Sequence, residues 1–417
     1  MPWVRLHGLK DYYDMAAVLD EFPRIRMNFN LVPSLVEQIH DYAQTDVLDE
    51  HLRLTQKPAA ELSDAEKEKV LAEFFNCNPE NMIRPHPRFD ELFRRRGEGP
   101  GGAKAKIRDF EVQDYLDLQV WSNLAWVDPI FKSDPLISRL LKKERSFSEE
   151  DKHKLIEKQR EILGRILPKH KELQDKGQIE VSFSPYFHPI LPLICNTDVA
   201  RVALPQLPLP QVRFAHPEDA RAQIERGADL YREIFGREPK GMWPSEGSVS
   251  EEMVPLAAQA GVKWIATDEE ILFQSLRFKA EKPGEAPSPD RRSLYRPYEV
   301  EVDQRRVRVV FRDHTLSDLI GFVYSTWKPV DAAADLIDRL HKIREGLPAE
   351  SLSTSLVNII LDGENCWEYY KNDGHDFLHA LYSELSQDDS IRTTTMSQFL
   401  ESATGVEKLP HLFPGSW

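Results

Sequence analysis

The chain has 417 residues, 41% hydrophobic and 29% charged, with 19 glycines and 29 prolines, a composition that excludes global disorder, collagen and coiled coil. Its 54 Lys and Arg against 69 Asp and Glu give a formal net charge of −15, which repels phosphate backbones and anionic membrane surfaces, so neither a nucleic-acid nor a membrane partner is expected. Cys77, Cys195 and Cys366 are odd in number and far apart, which leaves no disulfide framework and no CxxC motif and fits a reducing compartment. No stretch approaches 18 apolar residues and the first residues lack a basic then apolar signal, so a cytoplasmic location is expected.

In chain order, IRMNFN at 25–30 alternates as a strand does, and Pro33 then opens an amphipathic helix through SLVEQIHDYA. From about 45 to 175 the strand signal vanishes and helical spacing recurs. The clearest case is a capping box, Ser148 with Asp151, ahead of apolar Leu155, Ile156, Ile162, Leu163, Ile166 and Leu167. GEGPGG at 97–102, followed by Lys104 and Lys106, reads as a mobile surface loop or a substrate lid. After Gly177 the period changes: QIEVSF is a short strand, a proline-rich loop follows, and a helix near 217–235 ends at Gly236. GMW, PSEG, a helix capped by Ser248 and Glu251, and KWIAT form a compact strand, loop, helix and strand. Residues 277–297 are a polar excursion with four prolines. VRVVF at 307–311 and VNIIL at 357–361 read as buried parallel strands. Alternation of this kind predicts a parallel sheet or barrel.

In such folds reactive groups gather where strands end, because side chains there converge above a packed core. Four predicted ends are polar: 184–188, 245–246, 312–314 and 362–364. Two carboxylates above one barrel are the equipment of glycoside hydrolysis, one as nucleophile and one as proton donor. Glu246, ahead of a helix N-terminus that favours its ionised form, suits the nucleophile, or is a surface helix cap. Asp362, after five apolar residues and raised by any nearby anion, suits the acid, or is a turn residue before Gly363. Glu364, Asp313, Asp318 and Asp268 compete for these roles. Arg312, Asp313 and His314 form either an internal ion pair or a sugar-contacting cluster. His188 is either a substrate contact or a satisfied structural histidine. Trp243, Trp264, Trp327 and Trp367 lie near these ends, as stacking platforms or as core. His375 and His379 sit four apart on a helix, but HDFLH lacks the glutamate of HExxH and a third ligand, so no metal site is assigned and no cofactor is expected.

The blocks PWVRLHGLKDYYDM, FPRIRMNFNLVPSLVEQI, GQIEVSFSPYFHPILPL, MWPSEGSVS, FRDHTLSDLIGF and IILDGENCWE, in this order, resemble glycoside hydrolase family 57 over nearly the whole chain. The resemblance implies a (β/α)7 barrel, distorted from the TIM type, with helical additions, and a retaining mechanism on α-glucans or maltooligosaccharides without a required metal. Glu246 of WPSE would be the nucleophile and Asp362 of LDGEN the acid/base, with His188, Trp243, Arg312 and Asp313 around the reacting sugar; His314 and Trp367 join them from the strand-end reading. The family's HQP-type histidine motif on the first strand has no counterpart upstream of PWVRLH, so a first strand and the C-terminal part are expected to be missing. The expected organisation is thus a barrel start at 1–44, a helical insertion at 45–176, the rest of the catalytic barrel at 177–400, and the beginning of a cut-off C-terminal region at 401–417. Two other readings stand beside the enzyme on α-glucan: a catalytically silent carbohydrate-binding fragment, and a metal-dependent carbohydrate deacetylase. Amylase, glucanotransferase and branching activities, and the oligomeric state, are not separable from sequence.

Overall fold

The computed structural model describes residues 2–97, 106–277, 290–364, 366–403 and 405–417. Among the described residues seven strands form one sheet: β1 (Met27–Leu31), β2 (Ile179–Phe183), β3 (Gly241–Met242), β4 (Trp264–Asp268), β5 (Tyr298–Val302), β6 (Arg305–Arg312) and β7 (Glu407–Lys408). Their spatial order is β1-β2-β3-β4-β6-β5-β7. β1 to β4 and β6 run parallel, in the register Met27↔Ile179, Phe183↔Met242, Gly241↔Trp264 and Trp264↔Arg308. This is the mixed α/β, barrel-type architecture expected from the sequence, with the sheet open among the described residues.

The strands form where β-branched and aromatic residues run together. Both faces of β4 are buried, as a parallel strand covered on each side requires. One face, with Val181, Phe183, Ile265, Val309 and Phe311, joins the main core; the other, with Trp264, Ala266 and Val310, packs on Phe399 and Leu400. Gly241 is needed at its place: a Cβ there would fall about 2.0 Å from the Trp264 ring. With the ring seated on it, the Trp264 indole reaches across and donates to Glu180 Oε1 at 2.9 Å.

Two strand assignments differ from the sequence reading. VNIIL is not a strand. It runs extended beside the end of β6, but its bonds go through side chains and single contacts: Asp313 N donates to Asn358 O (2.8 Å), Asn358 Nδ2 to Phe311 O (3.1 Å) and Ile360 N to the Ser317 hydroxyl (3.0 Å). Conversely, the excursion at 277–297 gives way to an antiparallel hairpin of β5 and β6 that the reading missed. Its turn, Asp303 and Gln304, has φ of 50° and 62°, both left-handed, as a two-residue hairpin turn demands. Residues 98–102 of the glycine-rich loop and most of the excursion lie outside the described residues.

Among helices, α1 (Trp3–Lys10) and α2 (Asp14–Ala17) precede β1, and α3 (Pro33–Gln44) follows it with proline at its first turn. Every regular element described between Glu50 and Lys143 is helical, and the segment closes with α4 (Glu149–Asp175). The helices Glu50–Gln56, Asp64–Glu73, Pro87–Arg96 and Val112–Leu124 pack with α4 around an apolar cluster of their own, including Leu54, Phe74, Phe89, Trp121 and Ile162. The expected capping box at α4 is present: Ser148 Oγ accepts from Asp151 N and Asp151 Oδ2 from Ser148 N, both at 3.1 Å. The expected helix near 217–235 is α5 (Pro217–Phe235), ended by Gly236 in the left-handed region. Then come α6 (Met253–Gln259), α7 (Pro329–Gly346) and α8 (His375–Gln387). No helix among the described residues is long and apolar enough to cross a membrane.

Asp151 does more than cap. Burial pushes its carboxyl up, but Lys143 (2.6 Å) and Arg139 (2.7 Å) outweigh that and hold it well below the usual carboxylate range. Asp151→Ala is expected to cost about 1–3 kcal/mol in urea unfolding, from the lost cap and the unpaired cations. A carboxyl lowered by folding stabilises above its unfolded pKa and loses that contribution as pH falls through the folded value. The gap between wild type and variant should therefore be full at neutral pH and shrink only in acid.

Candidate active site

At the carboxyl ends of β1, β2 and β3 a chain of polar bonds crosses the sheet. Ser182 Oγ donates to Asn30 Oδ1 (3.0 Å), Asn30 Nδ2 donates to Ser184 Oγ (2.9 Å), and Ser184 Oγ donates to Trp243 O (2.8 Å). Where strands stop, backbone groups lose their ladder partners and side chains must replace them. The loops that follow β2 and β3 each hold a residue in left-handed conformation that is not glycine, His188 (φ 56°) and Glu246 (φ 54°). His188 is half-buried, at the end of a turn in which its N–H donates to Pro185 O at 2.9 Å.

Glu246 follows β3 in the short turn Ser245–Gly247 and is exposed. Its backbone costs about 1–2 kcal/mol relative to an ordinary conformation, so the surroundings must enforce it. They do so with Ser248 Oγ donating to Ser245 O and Thr267 Oγ1 to Gly247 O, both at 2.6 Å. Gly247, itself at φ 61°, lies between the Trp243 ring and the Thr267 backbone. The carboxylate Oε2 accepts from the Trp417 indole at 2.9 Å, and the Trp417 and Trp243 rings lie 4.8 Å apart. The helix invoked from the sequence does not begin here. α6 starts at Met253 without a side-chain cap, Ser248 is spent on the turn, and Glu251 accepts from His411 and Leu412 N. The helix-terminus argument for Glu246 is therefore replaced by backbone strain.

β6 ends in Arg312, 8% exposed. Its guanidinium donates to Ile360 O (2.7 Å), Asp318 Oδ1 (2.6 Å) and Asp268 Oδ2 (3.4 Å), and its carbon lies 5.3 Å from the Trp417 ring. His314 completes this network, with Nε2 2.9 Å from Asp318 Oδ2 and Nδ1 3.5 Å from Asp268 Oδ2. Of the competing carboxylates, Asp268 and Asp318 are thus engaged with Arg312. Asp313 turns the other way. It is 1% exposed, caps its own short helix by accepting from Leu316 N (3.0 Å), and accepts from Tyr295 Oη (2.9 Å) and Arg291 Nη2 (3.1 Å). Arg291 also holds Glu269 at 3.0 Å. Burial raises Glu269, and burial together with Asp313 raises the Tyr295 phenol. The sequence reading missed Arg291 and Tyr295, since nothing in a polar loop announces partners for a strand end 18–22 residues away.

Asp362 is exposed, two residues beyond the carbonyl that Arg312 holds. Glu364 beside it is raised, by burial first and then by the charge of Asp362. α1 lies against this turn: Glu364 acts on His7, which burial pushes down to about 4, and His7 Nδ1 is 2.6 Å from Asp11 Oδ2. Of the remaining candidates, Trp367 and Trp264 are core. Trp367 is 3% exposed, donates to Gly363 O at 2.9 Å and covers Gly374, where a Cβ would meet its ring at 2.4 Å. Trp264 is buried over Gly241, whereas Trp327 is exposed. His375 and His379 do not work as a pair: His379 Nε2 faces Glu21 at 3.8 Å and His375 turns toward Asp14 and Asp128.

The glycosyl hydrolase family 57 profile matches residues 1–410, and the chain belongs to that family. It is 35% identical over 85 residues to the 1,4-alpha-glucan branching enzyme of Thermococcus kodakarensis, a match covering 20% of this chain and 10% of that protein. The fold is similar to the GH57-type branching enzyme of Pyrococcus horikoshii (TM-score 0.57, 16% identity, 100% of this chain and 68% of that one). It is also similar to the alpha-amylase AmyC of Thermotoga maritima (0.53, 14%, 99% and 72%). For the 4-alpha-glucanotransferase of Thermococcus litoralis the values are 0.51, 17%, 99% and 40%. The chain thus spans 40% of the length of the last of these structures, and its match to the curated relative covers a tenth of that protein.

The separate surroundings of Asp313 and Asp362 give distinct expectations. Asp313→Asn places an amide where Tyr295 and Arg291 both donate, and should cost about 1–3 kcal/mol in denaturant unfolding. Asp362→Asn, at an exposed position, should change stability by less than about 0.5 kcal/mol.

Proposed function

We propose that this chain carries the reacting groups of an enzyme that breaks α-glucan linkages with retention, passing the glycosyl group to water or to another sugar, with Glu246 as nucleophile and Asp362 as acid and base. The observation that carries this reading is the conformation of Glu246: an exposed carboxylate on left-handed backbone, fixed by Ser248 and Thr267 at the end of a central parallel strand. The family and the activities named for proteins of like fold support α-glucan or maltooligosaccharide as the substrate class.

In the first step the Glu246 carboxylate attacks the anomeric carbon while protonated Asp362 gives its proton to the departing glycosidic oxygen. A glycosyl ester forms on Glu246 as the carbon–oxygen bond breaks. In the second, the Asp362 carboxylate takes a proton from water or a sugar hydroxyl, whose oxygen displaces Glu246. Glu364, beside Asp362, is itself raised by burial and by the charge of Asp362. Trp243 and Trp417 offer apolar faces on which a sugar ring can stack, and His188, Arg312 and His314 supply polar groups around it.

Glu246→Gln should abolish turnover of maltooligosaccharides and of an activated aryl glycoside alike. Asp362→Asn should lose roughly 10²- to 10⁴-fold on maltooligosaccharides and far less on the activated substrate, whose leaving group needs no proton. Equal losses for Asp362→Asn on both substrates would remove it from the acid role, and a fully active Glu246→Gln would remove the nucleophile.

A further inference from the structure

We propose that Asp14, Asp128 and His375 form a site for one divalent first-row metal ion, which pins α2, the helical segment and α8 together. The three residues come from distant parts of the chain. Asp14 begins α2, Asp128 caps the short turn Pro129–Phe131, and His375 begins α8. One donor atom from each lies within 4.8 Å of the others. The place is enclosed, with Asp14 4% and Asp128 1% exposed.

Hydrogen bonding alone does not satisfy this cluster. His375 Nε2 lies 2.9 Å from Asp14 Oδ1 and 3.2 Å from Asp128 Oδ1. A ring nitrogen carries at most one proton, and its geometry directs that proton to Asp128. Asp14 Oδ1 and Asp128 Oδ2 are then left buried without a hydrogen bond, a cost of about 1–3 kcal/mol for each such atom. The cations nearby are His375 itself, in ion pairs with Asp14 and Asp128, and buried Lys10, paired with Asp373. One imidazole serving two carboxylates leaves buried oxygens unserved, so a metal ion held by all three side chains would satisfy more of the cluster than the ion pair does. The spacing agrees: ligands about 2.0–2.2 Å from a metal stand about 3 Å apart at neighbouring corners of its coordination shell. The nitrogen and oxygen donors suit Zn²⁺ or Mn²⁺, not a thiolate-seeking ion. On binding, the metal takes the Nε2 lone pair and the ring proton leaves to solvent.

The test is Zn²⁺ binding to the whole chain after chelator treatment, followed by calorimetry and elemental analysis. One Zn²⁺ per chain is expected, with a melting temperature that rises with the logarithm of free Zn²⁺. Binding should be lost in Asp128→Asn and His375→Gln and kept in His379→Gln. No stoichiometric Zn²⁺ or Mn²⁺, or binding untouched by the first two variants, would overturn the site. Should those variants fail to fold, X-ray absorption of the wild-type Zn²⁺ form decides: mixed nitrogen and oxygen donors at about 2.0–2.2 Å support it, and sulfur donors contradict it.

Discussion

The candidate active end of this molecule depends on one buried guanidinium. Arg312 closes β6, which pairs in parallel with β4 and forms the hairpin with β5, and from there reaches the carbonyl of Ile360, the carboxylates of Asp268 and Asp318, and the face of Trp417. Each contact replaces something the sheet cannot supply. The 357–361 segment has no ladder of its own, so the Arg312 bond to Ile360 O helps fix the turn that presents Asp362. Trp417, on the other side, donates to Glu246. One cation therefore links the surroundings of both proposed reacting carboxylates. A guanidinium this buried is tolerable only because two carboxylates and a carbonyl take its protons, which commits Asp268 and Asp318 to it and leaves Glu246 and Asp362 exposed.

A second constraint is local. A left-handed glutamate persists only where its neighbours over-determine it, and around Glu246 they are two hydroxyls, a glycine and a tryptophan ring. On the other side of the sheet end, α1 brings buried charge under the Asp362 turn. His7 and Lys10 in it and Asp11 at its end are all buried, and burial drives Asp11 well above and His7 well below their ordinary ranges. A polar helix in the interior is expensive to place. Here it lies against the turn that holds Glu364 and Asp362, where burial and the charge of Asp362 raise Glu364 and His7 works against that rise.

Much of this was legible in the sequence because it is local. The Ser148 capping box, the helix stop at Gly236 and the strands QIEVSF, KWIAT and VRVVF are written in neighbouring residues, and the structure has each of them. The ordered motifs pointed to the family. What failed needed partners from afar. Ser248 and Glu251 have the spacing of a cap, but a turn carbonyl and His411 take them. VNIIL has the composition of a strand without a neighbouring edge to pair with. Asp313, adjacent to Arg312 in sequence, faces Tyr295 and Arg291, a direction set by the alternation of side chains along β6. The convergence of Asp14 and Asp128 on His375 spans most of the chain, so no spacing rule could find it.

The central claim is that Glu246 forms a covalent bond to the sugar, and trapping tests it most directly. The protein is incubated with an activated 2-deoxy-2-fluoro or 5-fluoro α-glucosyl donor and digested, and the labelled peptide is sequenced by mass spectrometry. The account predicts one glucosyl ester, on Glu246, that accumulates further in Asp362→Asn because deprotonation of the attacking water is slowed. An ester on Asp362, Glu364 or any other carboxylate would contradict it.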